Sequence, residues 1–123
     1  MADLNDINMW AKISPSAENE LEQYKKQTIK TLIRQSARFS AAATQDKSPL
    51  IALLHANYGA TYLWALRDIA TDEEIKKYGN IDIISFKNKI TDIQDKATKL
   101  VSAICPKFIG QVEQDLMKLA GDI

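Results

Sequence analysis

One cysteine, one histidine, three prolines and four glycines are all that 123 residues hold of these types. The shortages exclude several chemistries. Cys105 stands alone, so it forms no intrachain disulfide, and zinc sites built on two or four thiolates are ruled out. A single thiol fits a reducing compartment. No Glu-x-x-His occurs and no carboxylate falls on an apolar helical face, which excludes a dimetal-carboxylate bundle. No metal or other cofactor is expected.

Charge of one sign is also missing. Sixteen basic and sixteen acidic residues balance to a formal net charge of +0, so no global field draws the chain to nucleic acid or an anionic membrane. Such binding would need a local patch. The first residues, Met1-Ala2-Asp3-Leu4-Asn5-Asp6, lack the basic and apolar regions of a signal peptide. The longest apolar run, Leu50 to Leu66, is seventeen residues long and holds His55, Asn57, Tyr58, Gly59, Thr61 and Tyr62. It is too short and too polar to cross hydrocarbon. The expectation is a protein without a membrane span, in the cytoplasm or another reducing intracellular compartment. No segment alternates like a strand, and there is no repeat or low-complexity tract.

What is present is helical punctuation. Hydrophobic residues make up 46% of the chain and charged residues 26%, ordinary for a folded domain rather than a disordered one. Ser14-Pro15, Ser48-Pro49 and Cys105-Pro106 each place proline at a first helical position, where its fixed φ helps and its missing N–H costs nothing. Thr71-Asp-Glu-Glu74 has the form of a capping box.

Four helix starts are thus marked by local chemistry, and periodicity adds a fifth helix. A first helix, Pro15 to Ala43, gathers Ala17, Leu21, Tyr24, Thr28, Ile29, Leu32, Ile33, Ser36, Phe39 and Ala43 on one face, with Lys25 as a local conflict. A second, Pro49 to Ala70, is apolar almost all round, as a central helix needs to be. Its Ala52, Ala56 and Ala60 recur every four residues beside Gly59, a pattern open to a close helix crossing or a kink. A short helix, Asp72 to Tyr78, has Gly79 as its C′ residue. A third long helix, Ile81 to Ile104, places Ile83, Phe86, Ile90, Ile93, Ala97, Leu100 and Ile104 at alternating steps of three and four, a coiled-coil-like seam. The last, Pro106 to Ala120, shows Ile109, Val112, Leu116 and Leu119 on one side.

Short connections between long helices imply antiparallel neighbours. The sequence therefore predicts an all-α, up-and-down bundle of four main helices, a short connecting helix and an N-terminal arm. Residues 14–123 form the bundle domain, and residues 1–13 form the arm. The arm carries Leu4, Ile7, Met9, Trp10 and Ile13, too apolar for a free tail. It either folds back on its own bundle or docks on a protein partner.

Three other groups of residues could carry function. His55, Tyr58 and Tyr62 share a helical face, followed by Arg67 and Asp68. His55 bonded to a phenol would make an acid–base group, but no nucleophile, orienting group or oxyanion donor completes a catalytic set. The plain reading is a structural polar cluster. Lys26, Lys30, Arg34 and Arg38 recur every four residues in a stretch, Gln23 to Gln45, with five basic residues and no acid. Such a row can meet phosphates, although no aromatic interleaves it in sequence and the chain as a whole is neutral. The plain reading there is a solvated helix face. Cys105, at a helix N-cap, reads as inert packing.

The string Tyr62-Leu-Trp-Ala-Leu-Arg-Asp-Ile69, after Asn57-Tyr58-Gly59, resembles stretches in small, uncharacterised helical proteins of large DNA viruses. The resemblance covers about 15 residues and implies a virion or assembly component, in host cytoplasm or virion; it carries over no site residues. The expected function is a non-enzymatic helical interaction or assembly module that associates with itself, as a homo-oligomer, or with a protein partner. The alternative is a nucleic-acid or phosphate-binding bundle that uses the basic row.

Overall fold

The structure is a computed structural model that describes residues 15–108. Helix α1 runs over Pro15–Gln45, α2 over Pro49–Ile69, α3 over Asp72–Gly79 and α4 over Ile83–Ile104; a 3-10 turn, Pro106–Phe108, follows. Among the described residues there is no strand, and the protein is an all-α helical bundle. The N-terminal arm, with Leu4, Ile7, Met9, Trp10 and Ile13, lies outside the described residues. So does the expected last helix beyond Phe108.

Local chemistry explains most of the boundaries. Ser48 caps α2, its Oγ accepting from the Ile51 amide at 3.4 Å, and Pro49 takes the first helical position. Thr71 and Glu74 form the full capping box: the Thr71 amide donates to Glu74 Oε1 at 2.9 Å, and the Glu74 amide donates to Thr71 Oγ1 at 3.1 Å. Helix α4 begins two residues later than the periodicity suggests. Asp82 sets that start, accepting from the Ile84 amide at 3.1 Å and from the Ser85 hydroxyl at 2.9 Å.

Gly79 is not the C′ residue. It lies within α3, and Asn80 takes the left-handed conformation at φ 55°. Asparagine tolerates that region better than most residues. A Cβ at position 79 would meet Ile33 Cδ1, the tip of a flexible side chain, so a larger residue there requires Ile33 to shift.

Helices α1 and α2 form a tight hairpin joined by residues 46–48. The small-residue row of α2 marks a close crossing. Ser36, Ser40 and Ala43 of α1 are buried against Ala52, Ala56, Gly59 and Ala60 of α2. The Ser36 hydroxyl donates to the Gly59 carbonyl at 2.7 Å. A Cβ on Gly59 would overlap Ser40 Oγ and lie 3.0 Å from the Ser36 carbonyl oxygen.

The main core lies at the other end of the hairpin, where Ile29, Leu63, Leu66, Ile75, Ile83 and Ile90 meet and Phe86 packs against them. Helix α1 has 31 residues and α2 has 21. At about 1.5 Å per residue, the first ten residues of α1 project roughly 15 Å past its partner. Helix α3 folds back against this overhang. Tyr78 donates its phenol proton to Glu22 at 2.9 Å, and Lys25 pairs with Glu74. The latter contact settles the conflict at Lys25.

Three expectations of burial fail. Leu21 and Tyr24 belong to the apolar face of α1 but are 72% and 75% exposed, because α2 does not reach them. The seam of α4 is buried at Ile83 and Ile90 yet open at Leu100 and Ile104. Helix α2 does pack on both α1 and α4, but its third face, with Leu50, Leu54 and Trp64, is exposed. Three long helices leave this side of α2 only partly covered: α4 touches its edge, where Gln94 donates to Asn57 at 2.9 Å and Leu50 borders an opening with Val101 and Ile104.

Candidate functional site

His55 lies on α2 beside the α1–α2 turn. Its Nδ1 sits 2.7 Å from Oδ2 of Asp46, the first residue after α1, and both side chains are half-buried. The hydrogen-bond partner of Nδ1 is thus Asp46 rather than a phenol, and Asp68 lies apart. Thirteen residues of helix place Asp68 about 20 Å along α2 from His55, where it is exposed. Arg67 also stands apart from the cluster, 4.0 Å from Asp72. It closes the buried part of α2 at the surface.

Tyr58 and Tyr62 do join His55, through a residue that sequence reading had assigned only to the core. Phe39 of α1 stacks on Tyr62 at 5.8 Å between centroids with 4° between the planes. It meets Tyr58 edge-on at 5.3 Å and 77°, and His55 at 6.0 Å. Such offset and edge contacts suit the quadrupoles of the rings. The four rings line one side of the hairpin.

Asp46 accepting from Nδ1–H would hold the imidazole in one tautomer and leave Nε2 free, the orienting half of an acid–base pair. The neighbouring cleft, about 220 Å³, is lined by Gln35, Arg38, Phe39, Ala42 and His55. That lining offers no hydroxyl or thiol. The nearby hydroxyl of Ser36 is already engaged by Gly59, and Ser40 is buried in the helix crossing. The arrangement can latch the hairpin and bind a ligand edge.

The basic row follows a different logic. Lys30, Arg34 and Arg38 are exposed and Lys26 is half-buried. None of the four has an ion-pair partner among the described residues. Each four-residue step rises about 6 Å and turns about 40° around the axis, so the row slants across the outer face of α1. Its last member, Arg38, reaches the lip of the cleft that holds Phe39 and His55. No aromatic interleaves the row, but at its Arg38 end two rings share the cleft, Phe39 from α1 itself and His55 from across the hairpin.

A further opening, about 380 Å³, separates the end of α1 from the second half of α4 and is lined by Ala43, Pro49, Ala52, Ile93, Ala97 and Leu100, among others. Among the described residues, no three His, Cys, Asp or Glu side chains gather as a metal site would require. No described helix is long and apolar enough to cross a membrane. No protein-family model matches the chain, and neither a curated protein nor a solved structure is significantly similar to it.

Asp46 and Phe39 are the residues that sequence reading missed. The three-residue turn signals only that the end of α1 lies beside the start of α2; which side chains meet is set by the helix pairing.

Proposed function

We propose that the protein is a non-enzymatic helical assembly module that associates with a second copy of itself through the outer face of α2. One observation carries this reading: Leu50, Leu54 and Trp64 are 54%, 42% and 47% exposed on a helix with no Asp, Glu, Lys or Arg from Pro49 to Leu66. The other long helices present lysines, arginines, aspartates or glutamates on their outer faces. Thr61 and Ala65 lie on the same side of α2 as Leu50 and Leu54 and are small enough for close helix approach. The strip from Leu50 to Trp64 is about 21 Å long.

The occupant follows from the charge. A two-fold contact sets a patch against itself, and an uncharged patch meets its copy without like-charge repulsion. The resemblance to small helical proteins of large DNA viruses points the same way, toward a structural component of a larger assembly. The His55–Asp46 pair serves this module as a latch for the hairpin that presents α2.

Sedimentation velocity over a dilution series tests the proposal. The wild-type chain should shift from monomer to dimer as concentration rises. Leu54→Asp, which puts a charge on the exposed strip, should stay monomeric with an unchanged helical circular dichroism spectrum. A wild-type chain that remains monomeric throughout rejects the reading.

A further inference from the structure

A second surface, on the opposite side of the hairpin's first helix, has its own chemistry. Between Gln23 and Gln45, α1 bears five basic residues and no acid. Lys25 is neutralised by Glu74. The four that remain, Lys26, Lys30, Arg34 and Arg38, make one row with no acidic partner among the described residues. A neutral protein with an unneutralised cationic row has separated its charges, and a row of evenly spaced cations suits a polymer with one anion per repeat.

What selects among such polymers is the end of the row. Arg38 lines the same cleft as Phe39 and His55. Tyr58 stands edge-on to Phe39 and is 44% exposed. An acidic peptide would make use of the cations alone. A single-stranded nucleic acid would use both parts, phosphates on the row and an unstacked base on the exposed ring, the combination by which proteins hold single strands without reading sequence. A duplex keeps its bases stacked and would forgo the aromatic contact.

We propose that the basic row of α1 and the Tyr58–Phe39–His55 cluster together form a track for single-stranded nucleic acid, recognised by its phosphates and one stacked base. The track uses none of Leu50, Leu54 or Trp64, but Tyr58 lies one helical turn from Leu54, so binding is measured on Leu54→Asp as well as on wild type to separate the track from the α2 contact.

Fluorescence anisotropy of the full chain with a labelled oligothymidylate, a duplex of equal length and polyglutamate as competitor tests this. Four phosphate contacts on a single strand predict a log–log salt slope of about −2.8, at roughly 0.7 per contact. Replacing Lys30 and Arg34 together by alanine should halve that slope to about −1.4. Both side chains are exposed, so the fold is unaffected. Tyr58→Leu, which keeps apolar packing against Phe39, should weaken single-strand binding about tenfold and leave the slope unchanged, while Tyr58→Phe should bind as wild type. The proposal is overturned by salt-independent binding or none. It is equally overturned if the duplex or polyglutamate binds as well as the single strand, or if Tyr58→Leu binds unchanged.

Discussion

Gly59 and Ser40 face each other where α1 and α2 come closest, and the pair illustrates how much one hydrogen atom can decide. The position a Cβ would take on Gly59 is filled by Ser40 Oγ, with the Ser40 amide nitrogen 3.1 Å away. Ser40 is 2% exposed and its hydroxyl has no hydrogen-bond partner, a polar group left in a tight apolar contact. Two effects oppose each other in Gly59→Ala. Alanine improves helix propensity by about 1 kcal/mol, while overpacking a close contact costs about 1–3 kcal/mol. Backbone atoms of α1 are among those crowded, so relief requires the helices to separate, and the steric term should win. Urea unfolding should find Gly59→Ala less stable than wild type by about 1 kcal/mol or more. Ser40→Ala removes the unpartnered hydroxyl and should be neutral or stabilising. The double variant should recover part of the loss, since the two sites share one contact. A Gly59→Ala protein as stable as wild type would mean the crossing is looser than described.

Helix α3 shows how a short element is held in place. Eight residues are too few to be stable alone in water. Its anchors are Ile75, fully buried in the core, the capping box at its start, and the Lys25–Glu74 contact with α1. The Glu74 carboxylate serves two of these anchors. The hydrogen bond from Lys25, followed by that from the Thr71 backbone, holds its pKa below the ordinary 4.5. A depressed folded-state value means that the ionised carboxylate favours the folded form above about pH 4.5. That contribution is lost as pH falls through the lower, folded-state value. Glu74→Gln keeps a capping oxygen but removes the charge. Its melting temperature should lie below that of wild type at pH 7, and the gap should close as pH falls below 4.5 and through the lower folded-state value, where the native side chain also becomes neutral. The exposed setting makes the gap small. A gap that stays constant from pH 7 to pH 3 would assign the effect to shape rather than charge.

At the scale of the molecule, the helices were legible in the sequence because their signals are local. Pro49, the Thr71–Glu74 box and the three-four spacing of Ile83, Phe86 and Ile90 act within one or two turns. The site was legible only in part. His55, Tyr58 and Tyr62 stand on one helix and could be grouped by spacing, whereas Asp46 and Phe39 reach them across a turn, and only tertiary pairing shows that. Burial was least legible of all: Leu21, Leu54 and Leu100 fit apolar stripes as well as Ile29 or Leu63 does, yet helix lengths and the number of neighbours leave them open to water. An apolar strip exposed on α2 then has a thermodynamic consequence beyond association itself. A partner that binds only the folded chain stabilises it by mass action, and when the partner is a second copy, stability rises with protein concentration. Over a hundredfold range above the dissociation constant the gain is on the order of 2 kcal/mol, or roughly 5 °C or more in melting temperature for a chain of this size. Differential scanning fluorimetry across that range should show the midpoint climbing for wild type. For Leu54→Asp it should stay flat, near the value of the most dilute wild-type sample. Parallel climbs in both proteins would place the self-contact elsewhere, and two flat lines would leave α2 without the partner assigned to it.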